Sequence, residues 1–279
     1  MIFDEAESTI ETMQADIENL KTHGNDVDVI RVEDCPGDTI NQKLAAATEM
    51  LPRWPSHGGT IVLPSAKVVA TDTWRWARQT DDPKPSDLFR GVTIIGNGCR
   101  IDWQGDGNKP IWDLPSPWWC RVDGPLSFTG NGQENVVAVY HRPAWEYNLN
   151  TSRFLTITQL HAERIETAYY VGDPLGPDLV GTTLRECFFD LCGDAVIADG
   201  ANVTQIVCDN CGWSRNLGAA AISRGHGMLY FAKGEVQNHF GEVWSVDQYQ
   251  TDTWKSRVFG EPGKEYAGGG GALLEVRGS

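Results

Sequence analysis

Three observations predict an all-β chain wound as a parallel solenoid behind an α-helical start. Beyond Arg90 the sequence breaks into many short β-rich segments: VTII at Val92, VVAVY at Val136, FLTI at Phe154, AYYV at Ala168, AVIA at Ala195, VTQIV at Val203, AAAI at Ala219 and MLYF at Met228. No long amphipathic stretch separates them, which argues against alternating helices and strands. Val203 recurs in phase with Met228, and Gly193 with Gly218, a shared period that marks stacked coils. Two coils also overlay by eye, FDLCGDAVI from Phe189 and CDNCGWSRNLGAAAI from Cys208. This places Phe189 on Cys208, Asp190 on Asp209, Cys192 on Cys211 and Gly193 on Gly212. In such a stack inward residues form apolar ladders, so the cysteines are expected in the core.

The elements before Arg90 follow from local pattern. Phe3, Ala6, Ile10, Met13, Ile17 and Leu20 alternate spacings of three and four, a heptad stripe that ends at His23, Gly24 and Asn25. It suits either self-association or packing on its own domain. DTINQKLAAATEML follows, with Asp38 as expected N-cap, Ile40, Leu44, Ala47 and Leu51 on one face, and Pro52 and Pro55 as its stop. GGTIVLPSAKVVA, from Gly58 to Ala70, then reads as two short strands, Thr60 to Leu63 and Lys67 to Ala70. The proline-bearing TDDPKPSD (Thr80 to Asp87) reads as surface loop. The domain plan is therefore an assembly or attachment segment at 1–33, a capping helix and first coil at 34–90, the coils at 91–259, and a glycine-rich tail at 260–279.

Composition narrows the partners. The 279 residues carry a formal net charge of -15, so wrapping a nucleic acid is not expected, because its phosphates would be repelled. The acidity fits an ordinary soluble surface or adaptation to high salt. No apolar run reaches the roughly 18 residues of a membrane span, and MIFDEAESTIE has neither the basic nor the apolar region of a signal peptide. Seven cysteines, an odd number in a chain this long, read as buried thiols. The CDNC at Cys208 has a zinc-like spacing, but its loose partner pair, Cys187 and Cys192, leads us to expect no metal and no cofactor.

The order DTINQKLAAA, GGTIVLP, GVTIIGNGCRIDW and then repeating coils resembles the entrance of the pectate lyase-like right-handed parallel β-helix family. The resemblance covers roughly Asp38 to Val246 in style, with its specific motifs between Asp38 and Trp103. It implies a right-handed β-helix capped by the helix after Asp38, with Gly58 and Gly59 turning the chain into the first coil and Pro64 at a corner. The family's Pro-x-Gly-x-Tyr is absent here, where Pro64 is followed by Ser65, Ala66, Lys67 and Val68. The family holds lyases, glycoside hydrolases, epimerases and viral tailspikes, so it does not settle activity.

For a hydrolase, the candidates are Asp190, Asp194 and Asp209, with Glu186 nearby, because paired carboxyls on neighbouring coils can share acid and base roles. His226, in SRGHGMLYF, is similar to the Gly-His-Gly of the polygalacturonase-like members. Their other hallmarks are missing, and no arginine sits in a lyase motif. For binding, exposed indoles suit sugar rings, and Trp119, Trp213 and Trp244, with Arg215, are the candidates among 11 tryptophans. Trp118 and Trp119 are adjacent, so at most one is core. The favoured reading is a virion component of the tailspike or tail-fibre kind, assembled in the host cytoplasm. It would bind a cell-surface polysaccharide or glycoprotein glycan and contact other virion proteins through residues 1–33, as a homotrimer by resemblance. A polysaccharide-degrading enzyme and a purely structural virion decoration are the alternatives.

Overall fold

The computed structural model describes residues 29–52, 58–78, 80–149, 151–173, 178–200, 202–218, 221–225, 229–237, 244–247 and 275–276. The heptad stripe and His226 lie outside them. Within them the strands form two sheets, one of 12 strands and one of seven, and every pairing between named strands is parallel. From Arg121 onward the chain visits the sheets in turn: Arg121–Thr129, then Val137–Arg142; Thr151–Glu163, then Thr167–Gly172; Asp178–Arg185 with Phe188–Asp190, then Asp194–Gly200. Asn202–Ser214, Ala221–Gly225, Leu229–Gln237 and Trp244–Asp247 continue the alternation. Each circuit returns the chain one strand further along both sheets. That is the predicted parallel β-helix, and the crossover rule gives it a right hand.

Alternation along each strand sends every second residue inward. Ile30, Ile61, Ile94, Val122, Ile157, Leu184 and Cys208 lie in register across seven coils, and all are buried. Beside them runs Ile101, Phe128, Ala162, Phe189 and Trp213. The cysteines are core, as expected, and burial pushes the thiols of Cys99, Cys120 and Cys192 up to about 12.

The wide sheet turns corners at columns of left-handed residues. One column is Gly58, Gly91, Trp119, Phe154, Gly181 and Gln205, with φ between 50° and 94°. A second is Gln159, Glu186 and Asn210, and a third Arg164, Leu191 and Arg215. Glycine is at ease in this conformation, whereas Trp119 and Phe154 hold it at a cost of about 1–2 kcal/mol each. A side chain at such a corner projects away from the core, which is why two aromatic rings end up outside.

Three expectations need correction. Thr39, rather than Asp38, is the N-cap of the helix Ile40–Met50: its Oγ1 accepts from Gln42 N at 3.3 Å, and Gln42 Oε1 accepts from Thr39 N at 3.2 Å and from Asp38 N at 2.8 Å. This capping box leaves the Asp38 carboxylate no capping role. Next, the first rung among the described residues is Val29–Arg31, paired with Thr60–Val62, so a strand of the solenoid lies within the stretch expected as the assembly segment. Finally, the overlay of Phe189 on Cys208 is wrong. Phe189 pairs with Trp213, Asp190 with Ser214 and Arg185 with Asp209, a longer step than the overlay assumed, and Cys211 follows Cys187 in the ladder rather than Cys192.

Candidate functional site: an arginine-flanked tryptophan turn

The expected carboxylate cluster does not assemble. Asp190 and Asp209 lie on faces separated by the Glu186/Asn210 corner. Asp209 meets Arg185 of the coil before it, Nε to Oδ2 at 3.0 Å. Arg215, from the third corner, grips Asp190 with both arms of its guanidinium, Nε donating to Oδ1 at 2.9 Å and a terminal nitrogen to Oδ2. Burial opposes ionisation of Asp190, but Arg215 outweighs it and holds the carboxyl below its usual range. A general acid needs a raised value, so Asp190 is ill suited to that role. Asp194 starts the strand Asp194–Gly200, and its backbone N–H donates to Glu166 O at 2.7 Å. At the corner, Glu186 accepts from Gln159 Nε2 at 3.1 Å.

Register instead stacks Glu163 directly below Asp190, with His161 on the same face and its ring 5.5 Å from that of Phe188. Glu163 is in turn ion-paired to Arg164 at 3.4 Å. Sequence reading missed this pair because the overlay joined only the coils of Phe189 and Cys208 and left out the coil that carries Glu163. Among the described residues no group of three or more histidines, cysteines and carboxylates is placed to hold a metal ion.

The indoles divide. Trp213, expected to be exposed, is 2% exposed and packs 6.2 Å from Phe189, so it is a core residue and the sugar-binding expectation for it fails. Trp244 opens the strand Trp244–Asp247, but its side chain lies outside what is described. Trp119 is 53% exposed, so its indole faces solvent. Its neighbour Trp118 is half-buried and stands edge-on to it, ring centroids 5.4 Å apart.

What the sequence did not reveal is the company Trp118 keeps. Arg90 from the coil before and Arg153 from the coil after bridge to its backbone. Their guanidinium carbons sit 4.6 and 5.8 Å from its ring centroid. Arg153 also reaches Asp178 at 3.7 Å. Along the corner column, Trp119 is followed by Phe154, 50% exposed, whose ring lies over Gly181, where a Cβ would strike it at 2.8 Å. The result is a surface of three aromatic rings and two guanidinium groups over three coils. The coil steps are unequal, that from Arg90 to Trp118 being shorter than that from Trp118 to Arg153, and this hides the surface from any search at a fixed period.

The turn is fixed from below. Trp118 Nε1 donates to Thr151 O at 3.0 Å, Trp119 N to Arg153 O at 2.8 Å, and Arg153 N to Pro117 O at 3.2 Å. Apolar ring faces beside guanidinium groups are what suits a carbohydrate: CH-bearing faces stack on the rings and hydroxyls meet the guanidinium N–H groups of Arg90 and Arg153.

No protein-family model matches the chain, and no curated protein matches it in sequence. Among solved structures it is similar to ORF18 of Geobacillus virus E2, with a TM-score of 0.40 and 10% identity, over 86% of this chain and 64% of that one. The chain thus spans less than two thirds of that protein, and at that TM-score the likeness decides nothing about function. Among the described residues no helix is long and apolar enough to cross a membrane.

Proposed function

We propose that this chain is a β-helical attachment subunit that holds a cell-surface glycan on the Trp118–Trp119 turn without rapid turnover. The observation that carries the reading is the exposed Trp119 and Phe154 beside the arginine-flanked Trp118. The ion pairs of Asp190 and Asp209 support its second half, since carboxylates gripped by arginine are poor acids. The virion setting and trimeric assembly rest on the tailspike-like entrance motifs and the heptad stripe in residues 3–20. Binding of the wild-type chain and of Trp119→Ala to a panel of bacterial surface polysaccharides tests the site; equal retention of both would remove it.

A hydrolase reading draws on a different observation, Glu163 stacked below Asp190 beside His161. Neighbouring coils bring the two side chains close enough for a retaining pair of carboxylates. It requires Arg215 to release Asp190 on substrate binding, and reducing-end release by the wild type, abolished by Glu163→Gln, is its signature.

A further inference from the structure

Among the described residues the core ladders are largely apolar, and one level gathers several polar side chains. There His141, 1% exposed, holds Ser152 Oγ at 2.7 Å through Nε2 and Tyr169 Oη at 2.9 Å through Nδ1, with Thr182 Oγ1 3.5 Å from Nδ1. Ser152 Oγ donates onward to Pro117 O at 2.6 Å. Since Ser152 spends its proton on Pro117, the histidine Nε2–H donates to Ser152 and the tyrosine hydroxyl donates to Nδ1. The chain therefore runs Tyr169, His141, Ser152, Pro117, and ends one residue before Trp118. A buried serine–histidine pair invites comparison with a nucleophile and its base. Ser152 is 1% exposed and lies beneath the turn, where no substrate carbon can reach it.

Burial of a neutral imidazole is costly, and a leucine or phenylalanine would fill the same space without it. Packing alone therefore gives no reason for His141. We propose that His141 is a positioning residue for the glycan site, fixing Ser152 as the hydrogen-bond anchor of the Pro117 carbonyl and so setting the pose of Trp118 and Trp119. The 117–119 segment is tied to residues 151–153 by four hydrogen bonds; on the 151–153 side Ser152 contributes its side chain, and on the other side Trp118 does. A neutral ring with one donor and one acceptor is the requirement, not charge.

The inference rests on the glycan reading for its consequence but not for its test. His141→Leu, His141→Gln, Ser152→Ala and Ser152→Thr are compared by acrylamide quenching and near-ultraviolet circular dichroism. Each is made in the wild-type and Trp119→Phe backgrounds, so that the Trp119 contribution is isolated. Far-ultraviolet dichroism and thermal melting report the fold. We expect His141→Leu to keep the β signal and to lose the Trp118–Trp119 signature. Glutamine, whose amide N–H can donate and whose carbonyl can accept, restores it, and serine to threonine keeps what serine to alanine loses. On a polysaccharide that the wild type binds, the leucine and alanine variants weaken retention about 10-fold, the scale of one aromatic contact. If His141→Leu does not fold, Ser152→Ala decides alone. An unchanged Trp119 signal in a folded His141→Leu or Ser152→Ala chain overturns the proposal. If wild type retains no polysaccharide while the optical effects appear, the positioning stands and the glycan reading falls.

Discussion

The coils up to Thr129 and those from Thr151 onward obey the same register but are filled differently. In the early region the steps are long and uneven, as from Ile61 to Ile94 in the wide sheet and, longer still, from Trp74 to Trp112 in the other. Its interior holds indoles, with Trp74 stacked on Trp112 at 4.8 Å and Trp76 and Phe128 tilted against Trp112 at 5.7 and 6.2 Å. In the late region the step shortens with each circuit, from Leu155 to Thr182, then to Ile206, then to Leu229, and cysteines join the aliphatic ladders, with Trp213 a buried indole beside Phe189. Long coils leave slack for a turn such as Pro117–Trp119 to rise from the surface. Short coils leave little, and at their corners Arg185 pairs with Asp209 and Arg215 with Asp190 across neighbouring rungs. Cross-rung ion pairs are found in the early coils too, where Arg142 meets Asp113 at 2.7 Å and Lys67 meets Asp102 at 3.3 Å, so it is the exposed tryptophan turn, not ion pairing, that sets the long coils apart.

The largest expected effect separates the two cores. Trp112→Ala opens a cavity among stacked indoles and should lower stability by about 3–5 kcal/mol in denaturant titration. Cys208→Ala, in the late core, removes a single sulfur and should lose about 1 kcal/mol. Equal losses would show that the early indoles fill space no more tightly than the late ladders.

The buried polar level between the regions gives the next effect. Desolvation pushes His141 down to about 3, with Tyr169, Ser152 and Thr182 around the ring and no carboxylate among its hydrogen-bond partners. The unfolded chain binds its proton at about 6.5, so between there and about pH 3 the unfolded state holds more protons than the folded one. Stability from this residue is complete above pH 6.5 and falls with acid by about 1.4 kcal/mol per pH unit through that window. His141→Gln should remove this slope while leaving the neutral-pH melt close to wild type. Asp190 carries the ordinary carboxylate sign: its value is depressed, so its contribution is present above the unfolded value and lost as pH falls through the folded one.

Much of this comparison was legible in the residues, but not all. The period read from the glycines holds where they mark it, for Gly218 N donates to Gly193 O at 2.8 Å and Val196 pairs with Ala221. The overlay failed because Cys192 and Cys211 both point inward, so either register satisfies an inside-outside test. Trp213 could have been placed from the sequence: once Cys211 is core, the residue two further along a strand is core too. The His141–Ser152 contact could not, since its members come from different sheets, and neither could Trp118 between two arginines at unequal steps.

Smaller effects bear on the surfaces. Replacing Asp190 by Asn removes the charge that Arg215 grips, and because Arg215 is half exposed the loss should be only about 1 kcal/mol, measured by melting at neutral pH. Gly181→Ala meets φ +77° and the Phe154 ring, so a loss of about 1 kcal/mol is expected together with a displaced ring. A glycan-binding defect in that variant with Trp119 intact would extend the site to Phe154.

The central claim is that the early region's tryptophan turn holds the glycan while the late region's carboxylates do not cleave it. Its most direct test is one titration calorimetry series on a bound polysaccharide, with wild type, Trp119→Ala and Asp190→Asn, and reducing ends assayed in the same samples. Trp119→Ala should weaken binding by about 1–3 kcal/mol, whereas Asp190→Asn should bind like wild type and no sample should release reducing ends quickly. Full binding by Trp119→Ala, or rapid release by wild type that Asp190→Asn abolishes, would contradict it.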